Sequence, residues 1–177
     1  VPSQAVSFTA FHRRALGGVV ITASHNPAPY NGVKFKGWYG GSGLPEMYSA
    51  IAGRIGESAI ADGGSVHDSD FLTDYCQALQ AALDLPLVRD AGLRILHDPI
   101  HGVASGLPSR ILGEGSKSTV TTIRGEVNPS FGGANPEPIP GNIDPAVAAM
   151  KSGAYDLAIC NDGDADRVGI LDERGEF

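Results

Sequence analysis

Short apolar or β-branched runs at residues 18–21, 93–96, 119–123 and 156–160 each stop abruptly at polar, glycine or proline positions. Nothing else in the chain constrains its fold as tightly. Such runs read as strands, and most are separated by stretches with helical spacing. Strand–helix–strand alternation needs crossover connections and predicts an α/β fold. We expect mixed, mostly parallel sheets with helices on both faces and functional loops at the strand C-termini. Two further strands are expected at 33–36 and 168–171, the last leading to an Arg174-Gly175 turn where a hairpin would lose its second arm at Phe177.

Helices are predicted over 45–61, with Met47, Ile51, Ile55 and Ala59 on one face, and over 69–83, where Phe71, Leu72, Tyr75, Cys76, Leu79 and Leu83 recur at helical spacing. Two more are expected at 103–112 and 144–151. Asp62-Gly63-Gly64-Ser65 is the best linker candidate and divides the chain into residues 1–66 and 67–177. A chain of 177 residues can bury one good core or two small ones. No apolar run approaches the roughly 20 residues of a membrane span, and no signal segment opens the chain at Val1. That start, other than Met, leaves the true N-terminus open. A net charge of −7 with unclustered Lys and Arg argues against a nucleic-acid surface. Cys76 and Cys160 are too far apart in sequence to suggest a disulfide framework or a zinc pattern, which fits a reduced, cytoplasmic setting.

Two loops carry chemistry. Thr22-Ala23-Ser24-His25-Asn26-Pro27 places a small hydroxyl just past a strand, and Pro27, Pro29 and Asn31-Gly32 forbid regular structure until Val33. Alone, this is an ordinary Ser/Asn-rich turn. It has no Gly-x-Ser-x-Gly elbow, and His25 beside Ser24 in an extended chain points away from it. The second loop, Asn161-Asp162-Gly163-Asp164-Ala165-Asp166-Arg167, sets three carboxylates at alternate positions after an apolar strand. Two unit charges about 4 Å apart repel by roughly 4 kcal/mol at an effective dielectric near 20, so three converged carboxylates call for a cation, an Arg or a proton. Hard oxygen ligands select Mg²⁺, Ca²⁺ or Mn²⁺. An EF-hand would place Asp162, Asp164, Asp166 and Glu173 at positions one, three, five and twelve, but Arg167 stands where its glycine belongs and strands flank the loop. His97 and His101, four apart, read as loop residues around Asp98-Pro99 rather than a metal pair. Trp38 and Tyr39 could equally contact sugar or cover the sheet.

Together the two loops resemble the α-D-phosphohexomutase superfamily, the phosphoglucomutase/phosphomannomutase enzymes. The first resembles the phosphoserine signature, continued by Tyr30-Asn31-Gly32-Val33-Lys34-Phe35, and the second the metal signature. Asp98-Pro99-Ile100-His101-Gly102 and Asn135-Pro136-Glu137-Pro138 are lesser echoes. The resemblance implies the latter part of a first domain (1–66) and most of a second (67–177), out of four. It implies interconversion of hexose 1- and 6-phosphates through a sugar 1,6-bisphosphate activator, with Ser24 as the phosphoryl carrier. By the same resemblance, Mg²⁺ would be held by Asp162, Asp164, Asp166 and a phosphoserine oxygen of Ser24. Lys34 would act as general acid/base or phosphoryl contact, and His25, Asn26 and Arg167 would bind around the phosphoryl group or substrate. Thr22 leans toward hexose rather than glucosamine phosphates. The partners implied are the hexose phosphate and the missing domains of the same polypeptide, without which the isolated chain is expected to be inactive. A non-catalytic phosphate/Mg²⁺-binding or assembly module is the alternative.

Overall fold

The structure is a computed structural model that describes residues 1–57 and 63–177. Its element order is α1 (Ser3–His12), β1 (Gly17–Ile21), β2 (Val33–Gly37), α2 (Pro45–Ala52), α3 (Leu72–Ala82), α4 (Leu85–Asp90), β3 (Arg94–Asp98), α5 (Leu107–Leu112), β4 (Thr119–Thr122), α6 (Asp144–Met150), β5 (Leu157–Asn161) and β6 (Val168–Leu171). A single 3₁₀ turn, Phe131–Gly133, interrupts the long loop before α6. None of the helices is long and apolar enough to cross a membrane among the described residues.

The strands form two sheets. β1 and β2 pair antiparallel, with Val19 opposite Phe35 and Ile21 opposite Val33, so the serine loop is the connection between them. The second sheet runs β4-β3-β5-β6. Its centre is parallel, as expected, with Leu96 facing both Thr121 and Ala158 along the ladder; β6 returns antiparallel on β5. The chain thus leaves the C-terminal ends of adjacent strands β3 and β5 in two neighbouring loops, the position where open α/β sheets place ligands.

Both faces of this sheet are covered. On one, Leu96, Ala158, Cys160 and Leu171 bury completely against Ile143, Ala146 and Met150 of α6 and its approach. On the other, Ile95, Val120 and Ile159 line an apolar pocket together with Leu85, Val88, Ile111 and Leu112 from α4 and α5. Burial pushes the Cys160 thiol up to about 12, as expected of a thiol used for packing.

Several boundaries differ from the sequence expectation. α1 is absent from the hydrophobic pattern because its buried face is Ser3, Ala5, Val6, Thr9 and Ala10, small residues with little apolar contrast. The helix expected over 45–61 ends at Ala52, where Gly53 caps it and Gly56 follows at φ 94°. Ile55 lies exposed in the turn beyond, and Ala59 falls outside the described residues, as does Asp62 of the linker. The helix expected from 103 begins only at Leu107, behind the left-handed Gly106. α4, with Pro86 in its first turn and an Asp84 cap, is too short to show a period.

Candidate active site and metal centre

The acidic loop bridges the antiparallel strands β5 and β6. Asp162 N–H donates to Arg167 O at 3.4 Å and Ala165 N–H to Asp162 O at 3.1 Å, while Ala165 adopts φ 61°. This tight reversal turns the alternating Asp162, Asp164 and Asp166 to one side, where one oxygen from each lies within 4.8 Å of the others. Asp162 is fully buried and Asp164 nearly so, whereas Asp166 is exposed.

Charges pair densely around this cluster. Lys34 Nζ, reaching from β2, donates to Asp164 Oδ2 at 2.9 Å and Asp166 Oδ2 at 3.0 Å. Arg167 lies between Asp162 Oδ2 at 3.3 Å and Glu137 Oε1 at 3.0 Å. Burial lifts the Asp162 carboxyl above its ordinary range, and the neighbouring Asp164 and Asp166 charges add to the effect. Asp164 moves the other way. Burial alone would raise it, but hydrogen bonds from Lys34, Ser3 and Thr22 outweigh that. Four carboxylates, with Glu137 included, therefore face two permanent cations.

Asp164 Oδ2 takes all of that residue's side-chain hydrogen bonds, while its Oδ1 is buried with no partner among the described residues. A buried carboxylate oxygen without a donor is costly, and three hard oxygens around one point suit an oxygen-seeking divalent cation. The residues present fit Mg²⁺ or Mn²⁺.

The serine loop lies directly against the acidic loop. Ser24 sits at φ 57°, a conformation a non-glycine residue rarely adopts, and its N–H donates to Thr22 Oγ1 at 2.8 Å. Its carbonyl packs on Gly163 so closely that a Cβ there would stand 2.7 Å from the oxygen. A cavity of about 430 Å³ opens beside Ser24, lined also by Thr22, Asn26, Tyr30, Phe131 and Asp164.

A third layer supports both loops. Gly102 packs beneath the acidic loop, where a Cβ would lie 2.8 Å from Gly163 O and 3.0 Å from Asp162 O. Val103 N–H donates to Gly163 O at 3.1 Å, and Gly163 N–H to Pro136 O at 3.1 Å. Below them Asp98, fully buried, receives Arg124 Nε at 2.9 Å, and Arg124 Nη2 also reaches Asn142 O at 3.0 Å. Ile100, His101 and Arg124 all adopt left-handed φ angles here, so backbone strain concentrates under the site.

The structure brings together most of the residues singled out from sequence. Ser24, Lys34, Asp162, Asp164 and Asp166 converge. Asn26 Nδ2 turns back to Ala23 O at 3.1 Å, closing its own turn, and His25 Nε2 lies 3.9 Å from Glu137. Arg167 is drawn to Asp162 and Glu137. His97 is not a loop residue: it is buried inside β3 and pairs with Asn161 Oδ1 at 3.2 Å, and only His101 lies in the turn. Sequence reasoning misses Ser3, whose Oγ donates to Asp164 Oδ2 at 2.8 Å, and gives Glu137 no role. A polar residue just after Pro2, at a helix start, is the one available signal for Ser3; for Glu137 it is the Pro-Glu-Pro setting.

Comparison with known proteins agrees with this geometry. Residues 73–175 match the family model described as phosphoglucomutase/phosphomannomutase, alpha/beta/alpha domain II, and residues 1–60 match that of alpha/beta/alpha domain I. The chain belongs to the phosphoglucomutase/phosphomannomutase family. It is 33% identical to a probable phosphoglucosamine mutase of Methanothermobacter thermautotrophicus, over 100% of this chain and 39% of the relative. It is 30% identical to a phosphoglucomutase/phosphomannomutase of Thermococcus kodakarensis, over 99% of this chain and 40% of the relative. A solved structure from Thermus thermophilus, ascribed to the phosphomannomutases, superposes with a TM-score of 0.91 at 38% identity, over 100% of this chain and 41% of its own. The chain thus spans about two fifths of the length of the relatives it matches.

Proposed function

We propose that this chain carries the phosphoryl-relay and cation-binding part of a phosphohexomutase, with residues 1–66 and 67–177 as the two units meeting at the site. The observation that carries this reading is the contact of the Ser24 loop with three converged carboxylates that only two permanent cations neutralise among the described residues. A phosphoryl group on Ser24 would add a charge of about −1.5 to −2 and make that imbalance worse. Mg²⁺, held by Asp162, Asp164 and Asp166 with a phosphoserine oxygen, would supply charge neutralisation and polarise the phosphorus. Ser24 Oγ gives up its phosphoryl group to one hydroxyl of the sugar phosphate and takes another back from the bisphosphate so formed. One P–O bond breaks as one forms at each step.

Lys34, tied to two carboxylates, is a cation in this arrangement, suited to contacting phosphoryl oxygens or donating a proton. Glu137 pairs with Arg167 of the acidic loop and lies 3.9 Å from His25 Nε2, which sets His25 beside that loop, and Asn26 holds the serine turn closed. The hexose phosphate class rests on the likeness of the two loops to the phosphohexomutase signatures, since relatives named for glucosamine, for glucose or mannose and for pentose phosphates match this chain alike.

The test is peptide mass analysis of the chain with and without Mg²⁺ and glucose 1,6-bisphosphate. A phosphoryl group on Ser24 is expected; one on a different residue would overturn the relay. Because the chain spans about two fifths of its relatives, we expect no mutase turnover from it alone. A coupled assay with glucose 1-phosphate and the bisphosphate that gave normal rates would refute that expectation.

A further inference from the structure

The asymmetry of Asp164 has a source outside the acidic loop, and its consequence rests on the reading of Asp162, Asp164 and Asp166 as cation ligands. Helix α1 starts against that loop. Ser3, fully buried, donates its N–H to Asp164 O at 3.0 Å and its Oγ to Asp164 Oδ2 at 2.8 Å; Gln4 Nε2 donates to Ala165 O at 2.9 Å. From the serine loop, Thr22 Oγ1 donates to the same Oδ2 at 3.1 Å, and Lys34 Nζ to it at 2.9 Å. Three donors from three segments thus converge on one carboxylate oxygen, and the other is buried without any among the described residues.

Three donors that reach Oδ2 from three different segments lock rotation of the carboxylate, and each one lost loosens that lock. The oxygen left for a cation is Oδ1 alone. We propose that Ser3 and Thr22 are positioning residues that make Asp164 a one-oxygen ligand, and so favour a small octahedral cation over Ca²⁺. The chemistry behind this is general. Mg²⁺ and Mn²⁺ suit six oxygens from separate groups in near-octahedral array, whereas Ca²⁺ accepts carboxylates through both oxygens at longer range. Removing either hydroxyl takes away one of the segments that anchor the carboxylate, so it can rotate about the remaining bonds and bring Oδ2 toward the ion, which penalises the small cation and not the large one.

The experiment uses the 177-residue chain and the metal ions alone. Mn²⁺ affinity is read from the electron paramagnetic resonance of free Mn²⁺, and Ca²⁺ affinity by calorimetry, for wild type, Ser3→Ala, Thr22→Val, Ser3→Thr and Thr22→Ser. Loss of an outer partner of a metal ligand typically weakens binding about 10–100-fold. We expect Mn²⁺ binding about tenfold weaker in Ser3→Ala and Thr22→Val, Ca²⁺ binding little changed, and the Mn²⁺/Ca²⁺ preference restored by Ser3→Thr and Thr22→Ser. The two deletions lie on different elements, so either one reads the role of Oδ2 if the other fails to fold. An unchanged Mn²⁺/Ca²⁺ ratio in the folded deletion variants overturns the proposal. So does a folded Ser3→Thr variant that binds no better than Ser3→Ala. A wild-type chain that takes up neither ion fails earlier, and overturns the metal reading itself along with what rests on it.

Discussion

A side chain at position 163 has nowhere to go: its Cβ would stand 2.7 Å from Ser24 O and 3.4 Å from the ring of Pro136. Both neighbours are backbone or ring atoms that cannot rotate away, so Gly163→Ala has to push the serine loop off the acidic loop. Overpacking of this kind typically costs about 1–3 kcal/mol. Urea denaturation should show that loss, and Ser24 phosphorylation by the sugar bisphosphate should fall with it. A stable variant phosphorylated like wild type would mean the two loops need not touch. His97 makes a second prediction at this scale. Burial holds its pKa below the ordinary 6.5, against the opposing pull of Asn161 and Asp98. The folded protein therefore keeps the imidazole neutral where the unfolded chain protonates it. Stability from this residue is complete above about pH 6.5 and is lost as pH falls below that value. Thermal midpoints at about pH 7.5 and 5.5, either side of that value, should differ less in His97→Gln than in wild type. An equal difference would show that His97 does not contribute.

Among the elements, the layer beneath the site gathers three left-handed residues and holds the most buried ion pair among the described residues. Asp98 is fully buried at the end of β3, and Arg124 reaches it from the end of β4, with the left-handed Ile100, His101 and Arg124 packed around them. Removing one partner leaves a buried charge uncompensated, which costs about 3–5 kcal/mol. Arg124→Met should therefore lower the thermal midpoint far more than loss of the exposed Arg94–Asp156 pair in Arg94→Met, as calorimetry can compare. How far such elements are legible depends on where their information lies. β5 and the acidic loop are local: an apolar run and a regular spacing of carboxylates suffice. Ser24 and Lys34 likewise lie close together in the sequence. α1 is invisible there because Ser, Thr and Ala form most of its buried face. Ser3 is invisible as a site residue because its partner lies 161 positions away, and no local pattern encodes that distance. Even His97 reads as a loop residue, because the apolar run of β3 stops at Leu96, one position before it.

At the scale of the molecule, α1 spans the two parts of the chain. Its start holds Asp164 and Ala165, and its end sends Arg13 to Asp74 and the backbone of Asp70 at the head of α3, with the Phe8 ring tilted against Tyr75 at 5.8 Å. The acidic cluster is contacted from both parts, since Lys34 and Thr22 precede residue 66 and the three Asp residues follow it. Binding a metal there should stabilise both parts together. An ion at about one hundred times its Kd adds about 2.7 kcal/mol, which for a chain of this size raises the midpoint by roughly 5–10 °C. Trp38, the single tryptophan, reports on the N-terminal part, while far-ultraviolet circular dichroism reports on every helix. We expect the two signals to share one midpoint, to rise together on adding Mn²⁺, and to stay put in Asp166→Asn, where a ligand oxygen is lost from the exposed carboxylate. A Trp38 transition that ignores the ion while the dichroism shifts would mean that the N-terminal residues lie beside the acidic loop without sharing its stability.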